Sequence, residues 1–353
     1  MKNIILLILV CWQFALYAAE PFIWKQTPDS APVILPRKDN QTYEEALKEY
    51  FQKVNETPSL ADLLNRDDIQ NLKVRDNLAF KKGTFQELSS SSNQKPRFIV
   101  VTNELRELYA PPHGVKVARI IKRLEAVGAE VLVLPVVHDL TLNAKESKEF
   151  RDKLVNLFDA QLIMGGNDID PYLYGEKTTY AKSVIRRRDV SELKFVRQFI
   201  ESKKGMNFGI CRGHQMCAVA NHKKLIQDIQ IVEGASEVHL NGDHLIDADR
   251  SSEIFSIFDK DKILVNSLHH QSVIVPEGDS VYKIIATSLD KNPIVEGLEF
   301  RNGLGVTLQF HPELMFNETG DKILKKFVDM AIKNKQARAN PALCGKLMKS
   351  FFN

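Results

Sequence analysis

The chain has 353 residues, of which 44% are apolar and 26% charged, a balance ordinary for a globular protein with a sizeable core in one large domain or two smaller ones. Its 48 basic and 45 acidic residues are spread along the sequence and leave a net charge of +3, so no charge field points to nucleic acid as a main partner. The four cysteines, Cys11, Cys211, Cys217 and Cys344, have no zinc-ligand spacing and form no disulfide framework.

The first segment, Met1–Ala19, carries Lys2, an uncharged run from Ile4 to Ala19, and Ala18-Ala19 before Glu20. These are the three parts of a secretory signal, and the run falls short of the ~20 residues a spanning helix needs. Cleavage after Ala18 or Ala19 is expected, with export to a periplasmic, extracellular or lysosomal space and no stable membrane insertion afterwards. Three cysteines then remain, and a pairing of Cys217 with Cys344 stays open.

Residues 20–95 differ in kind from the rest of the chain. Pro21, Pro28, Pro32 and Pro36 imply an extended lead-in. Tyr43, Ala46, Leu47, Tyr50, Phe51 and Val54 recur at helical spacing behind Thr42, which predicts a capped amphipathic helix packed on the main domain. Ser89–Ser92 and Asn93 read as a polar linker and domain boundary.

From Pro96 the pattern alternates. Strands are predicted at Arg97–Thr102, Glu130–Pro135, Gln161–Met164 and Met206–Ile210, and helices at Val115–Val127, Lys145–Phe158 and Val190–Ser202. Such alternation implies an α/β fold, a mostly parallel central sheet with helices on both faces and the active site at the carboxyl ends of its strands. Beyond Leu225 the rhythm becomes β-like, at Lys262–Val265, Ser272–Val275, Val281–Ala286, Ile294–Phe300 and Gly305–Phe310, before a helix at Asp321–Ile332. Residues 96–335 are therefore expected to form the catalytic domain and residues 336–353 a tail.

Within Asn207–Gln215 one cysteine sits between Gly209 and Gly213, after an apolar run and ahead of a helix-like segment. A sharp strand-to-helix turn there would expose Cys211 at the amide-rich helix N-terminus, which favours thiolate and can receive an oxyanion. The alternative is a buried cysteine closing a core strand. Attack on a carbonyl also needs a base and a group to orient it. His311-Pro312-Glu313 follows a late strand, and residues i and i+2 of an extended segment point the same way.

Gly-x-Cys-x-Gly-x-Gln at Gly209–Gln215 with a late His-x-Glu resembles the class I glutamine amidotransferase-like superfamily. Within it, the chain is most similar to the γ-glutamyl hydrolase-like cysteine peptidases, including γ-glutamyl-γ-aminobutyrate hydrolases. The likeness is carried by Leu162–Pro171 with Tyr174-Gly175, by Gly209–Gly213, by Val265–Gln271 and by Gln309–Glu313, and spans about residues 96–335. It implies a flavodoxin-like amidotransferase fold, with Cys211 as nucleophile, His311 as general base and acid, and Glu313 as the carboxylate that orients the imidazole. The oxyanion hole would be the backbone amides of Gly166 and Arg212. The Arg212 side chain either meets a substrate carboxylate or braces the helix.

Asn167, Gln215, His269, His270 and Gln271 are expected on the substrate side. His214 is taken as structural. His239 and His244 look like loop residues, with Asp243 and Asp247 completing only a weak metal candidate, so no metal or organic cofactor is assigned. Residues 20–95 have no counterpart in the resemblance, and the loop after Glu313, with Asn317, carries no specificity signature.

Three functions follow in order. The first is an exported hydrolase of small-molecule or peptide γ-glutamyl amides, with homo-oligomerisation left open. The second is a glutaminase serving a synthase partner, against which the chain offers no Gly-x-x-x-x-Gly-Lys-Ser/Thr loop. The third is a non-catalytic binding protein on the same fold.

Overall fold

The computed structural model describes residues 21–26, 28, 30–56, 84–89, 95–102 and 113–339. The expected signal segment, Cys11, Cys344 and most of the expected serine linker lie outside the described residues. The centre is strand β4 (Arg97–Thr102), buried along its whole length. Successive residues of a strand face opposite sides. Phe98 and Val100 therefore enter one apolar core and Ile99 and Val101 another, and each core needs helices to close it.

Around β4 lie β5 (Glu130–Pro135), β6 (Ala160–Ile163) and β7 (Met206–Ile210), all parallel. Strand β14 (Gly305–Leu308) joins parallel to β7. On the first face lie α1 (Tyr43–Glu56), α2 (His113–Ala126) and α6 (Glu318–Ala339), through Leu47, Ile120, Leu124 and Phe327 among others. On the second lie α3 (Ala144–Leu157), α4 (Arg186–Ser202) and α5 (Arg212–Ala220), through Phe150, Leu154, Phe195, Phe199 and Met216. The central parallel sheet, covered on both faces, is as the sequence predicts.

Helix boundaries follow local chemistry. Asn143 accepts from the amides of Lys145 and Glu146, and the Glu146 side chain returns to the Asn143 amide, a reciprocal cap that fixes the start of α3. Helix α4 begins four residues earlier than the apolar spacing predicts. Arg188, Asp189 and Glu192 are buried in its first turns and paired with other charges, so burial there is not carried by apolar residues.

Both edges of the sheet are antiparallel. On one side β13 (Val295–Phe300), β12 (Tyr282–Ser288), β9 (Gly242–Ala248) and β10 (Lys262–Ser267) extend it from β14. A separate pair joins β8 (Lys224–Ile226) to β11 (Ser272–Ile274). His244 lies in β9, opposite Val265 of β10, and not in a loop as its polar surroundings suggest. His239 ends a short 3-10 turn, Glu237–His239.

On the other side the early residues complete the sheet. Strand β2 (Val33–Leu35) pairs parallel to β5, β1 (Phe22–Lys25) antiparallel to β2, and β3 (Thr84–Glu87) antiparallel to β1. Helix α1 lays Leu47, Tyr50 and Phe51 in the same core as Phe98, and Trp24 meets Phe51 edge to face at 5.4 Å. The boundary expected at the serine stretch therefore divides neither sheet nor core, because the strands on either side of it share one hydrogen-bonded sheet.

Candidate active site

Strand β7 delivers Cys211 and α5 starts at the next residue. Cys211 sits at φ 53°, ψ −112°, a conformation that costs a non-glycine residue on the order of 1–3 kcal/mol. Two glycines make the bend possible. A Cβ on Gly213 would lie 2.1 Å from the Ile163 carbonyl oxygen, and one on Gly209 would lie 2.6 Å from the Gly213 backbone. As the first helical residue, Arg212 presents an amide that has no partner within its own helix.

The second half of the site comes from the neighbouring strand. Leu308 of β14 is in register with Ile210 of β7, and the Cys211 amide donates to the Leu308 carbonyl at 2.8 Å. His311 follows three residues later, at the same carboxyl end of the sheet. Asn266 holds its backbone from both sides: Asn266 Nδ2 donates to the His311 carbonyl at 3.0 Å, and the His311 backbone amide donates to Asn266 Oδ1 at 2.9 Å. Gly165 keeps the approach clear, since a Cβ there would sit 3.0 Å from the His311 ring and 3.5 Å from Cys211 Cβ.

His311 Nδ1 lies 2.7 Å from Glu313 Oε1, and the ring and Cys211 Sγ face the same gap beside Gly165. Burial alone would lower the imidazole's pKa, but Glu313 and Cys211 outweigh it and push His311 up to about 10. Both neighbours favour the charged form of the imidazole beside the sulfur. Such a pair can attack a carbonyl, protonate a leaving amine and activate water.

Cys211, His311 and Glu313 open on one cavity with Gly165, Gly166 and Asn167, walled by Thr102, Lys116, Val117, Met164 and Leu268. Of the residues expected on the substrate side, only Asn167 is there. Gln215 is buried and donates to the Gln271 carbonyl and to Gln309 Oε1, while the Gln271 side chain donates to the Gln227 carbonyl. His270 pairs with Asp168 at 2.9 Å and Asp228 at 3.4 Å. The Asp168 hydrogen bond raises its pKa against the pull of burial. His269 points away, its Nε2 lying 3.4 Å from the buried Glu296.

The Arg212 side chain braces the interior. Its guanidinium is buried between Asp189 at 2.5 Å and Glu192 at 2.6 Å, out of reach of a substrate carboxylate. His214 bonds Thr307 Oγ1 at 2.8 Å, and burial pulls it down to about 3, so it stays neutral and structural.

The motifs did not reveal Lys116, Leu268 or Asn266 as site residues. Lys116 had one legible signal: it opens a helix that follows the carboxyl end of a central strand, where sites of α/β folds gather. Leu268 contributes a carbonyl 3.9 Å from Cys211 Sγ, and a backbone group leaves no residue signature.

A profile of the Peptidase C26 family matches residues 102–313. The chain belongs to that family. The match covers the elbow, the His311-Pro312-Glu313 turn and the strands between them. A glutamine amidotransferase-like protein of Lactococcus lactis, YvdE, is 31% identical over 196 residues, covering 53% of this chain and 75% of that one. A glutamine-hydrolysing GMP synthase subunit from Ignicoccus hospitalis is 29% identical, covering 40% of this chain and 69% of that one. Among solved structures, a GMP synthase subunit from Thermoplasma acidophilum superposes with a TM-score of 0.50 at 18% identity, covering 71% of this chain and all of that one. This last likeness shows the fold alone, and the family match with the YvdE likeness fits the class I glutamine amidotransferase-like superfamily.

Proposed function

We propose that this peptidase C26 protein is a hydrolase of γ-glutamyl amide bonds that works through Cys211, His311 and Glu313. The observation that carries the reading is the strained Cys211 opening on one cavity with an imidazole whose Nδ1 lies 2.7 Å from Glu313. Cys211 sulfur attacks the γ-carbonyl carbon, and its oxygen gathers charge beside the amides of Gly166 and Arg212. His311 gives its proton to the departing amine as the C–N bond breaks, leaving a γ-glutamyl thioester. The neutral imidazole then takes a proton from water, whose oxygen displaces the sulfur to release glutamate. Losing one oxyanion donor typically costs ~10²–10³ in rate.

Lys116 lines the cavity wall and suits the α-carboxylate of the glutamyl unit, the role the buried Arg212 side chain cannot take. Export rests on the Met1–Ala19 pattern and is tested by N-terminal sequencing of the mature protein.

The similarity to a GMP synthase subunit favours a second reading, a glutaminase that passes ammonia to a synthase. A substrate panel separates the two. Purified protein alone should cleave γ-glutamyl amides of small amines or peptides and release glutamate. Ammonia released from glutamine only after a synthase is added, with no cleavage of the other amides, would establish the second reading instead.

A further inference from the structure

Behind the Leu268 wall lies a group of side chains that the proposed chemistry does not use. His239, at the end of its 3-10 turn, His269, just after β10, and Glu296 of β13 are 1%, 2% and 0% exposed at their side chains. One ligand atom of each lies within 4.8 Å of the others. We propose that His239, His269 and Glu296 bind a divalent transition-metal ion of the zinc class, which fixes the wall of the catalytic cavity from behind.

The spacing fits such an ion. Metal–ligand lengths of about 2.0–2.1 Å around a tetrahedral zinc put neighbouring donor atoms about 3.3 Å apart. Glu296 Oε1 lies 3.4 Å from His269 Nε2 and 3.6 Å from His239 Nδ1. His244 Nε2 also lies 3.3 Å from that oxygen, beside the group of three. These distances are long for hydrogen bonds, and both Glu296 oxygens, His269 Nε2 and His244 Nε2 form no aligned one. A buried carboxylate left so is costly unless a cation sits among its neighbours.

The outer partners point the same way. His239 Nε2 meets Asp290 Oδ2 at 2.7 Å, and His269 Nδ1 meets the Gln271 carbonyl at 3.0 Å. Each acceptor engages the outward N–H of its ring and turns the other nitrogen's lone pair inward, as carboxylates and carbonyls do behind metal-bound histidines. Two imidazoles and one carboxylate suit zinc and its first-row neighbours more than calcium or magnesium. The ion would tie together three elements remote in sequence, one of which continues directly from Leu268.

Elemental analysis of the full chain purified without chelator should find about one zinc-class ion per molecule. After chelator treatment, added zinc should raise the thermal midpoint, and cobalt should give the visible absorption of a tetrahedral site. Glu296→Gln and His269→Asn should abolish both responses. Should those variants not fold, Asp290→Asn, which keeps every ligand, should weaken zinc binding ~10–100-fold. A folded wild type with no bound metal, no zinc-dependent shift and no cobalt spectrum would overturn the proposal. Zinc binding unchanged in Asp290→Asn, Glu296→Gln and His269→Asn would also overturn it.

Discussion

With Cys211 on one side and Glu313 Oε1 2.7 Å away on the other, His311 keeps its proton far above the ordinary imidazole range, up to about 10. Its folded pKa exceeds the ordinary value of 6.5. Its contribution to stability is therefore complete below pH 6.5 and is lost as pH rises towards 10. The thermal midpoint of the wild type should fall across that window, and that of Glu313→Gln should fall less because its imidazole titrates earlier. An NMR titration of His311 should show the same order, and equal midpoints in the two proteins would remove Glu313 from its role. Lys116 makes a second prediction. If it meets the substrate α-carboxylate, Lys116→Met should raise KM about tenfold or more with little change in kcat, read from steady-state kinetics on a γ-glutamyl amide. At this scale the motifs named Cys211, His311 and Glu313, which share one cavity, whereas four of the five residues expected on the substrate side bond elsewhere. A motif does not say which way a side chain turns: Leu268 gives its carbonyl to the cavity while the adjacent His269 turns to Glu296.

Elements explain why those three side chains meet. Strands β7 and β14 are parallel neighbours in register, so residues just past their ends share one rim although about a hundred positions separate them. The elbow was legible because its requirement is steric and only glycine meets it. Gly213→Ala would bring a Cβ to 2.1 Å from backbone oxygen, with no flexible side chain to yield. A loss of about 3 kcal/mol or more is expected, measured by denaturant unfolding, together with loss of activity. A variant as stable and active as wild type would show that the bend does not need this glycine. Helix α4 shows the converse: its early turns bury charged residues that pair with Arg212, and apolar spacing could not register them.

At the scale of the molecule, the early strands turn a separate-looking extension into one edge of the catalytic sheet. Their pairing was not legible because β2 is three residues long, lies among prolines and finds β5 about a hundred residues later. The Pro96–Ile210 pattern, by contrast, has long apolar strands whose neighbours lie close in sequence, and it was legible. Deleting residues 21–56 would bare the β5 edge and the core face that Leu47, Tyr50 and Phe51 cover, exposing a strand to aggregation. Soluble yield and cooperative melting should both be lost, whereas a stable, active truncated chain would show that the sheet does not need these strands.

Across all three scales the fold serves one encounter, between the Cys211 sulfur and the His311 ring. Its most direct test is the turnover of a γ-glutamyl amide by Cys211→Ala beside the wild type, with both shown by circular dichroism to be folded. The variant should lose at least ~10³-fold in kcat. Equal turnover in the two proteins would contradict the account.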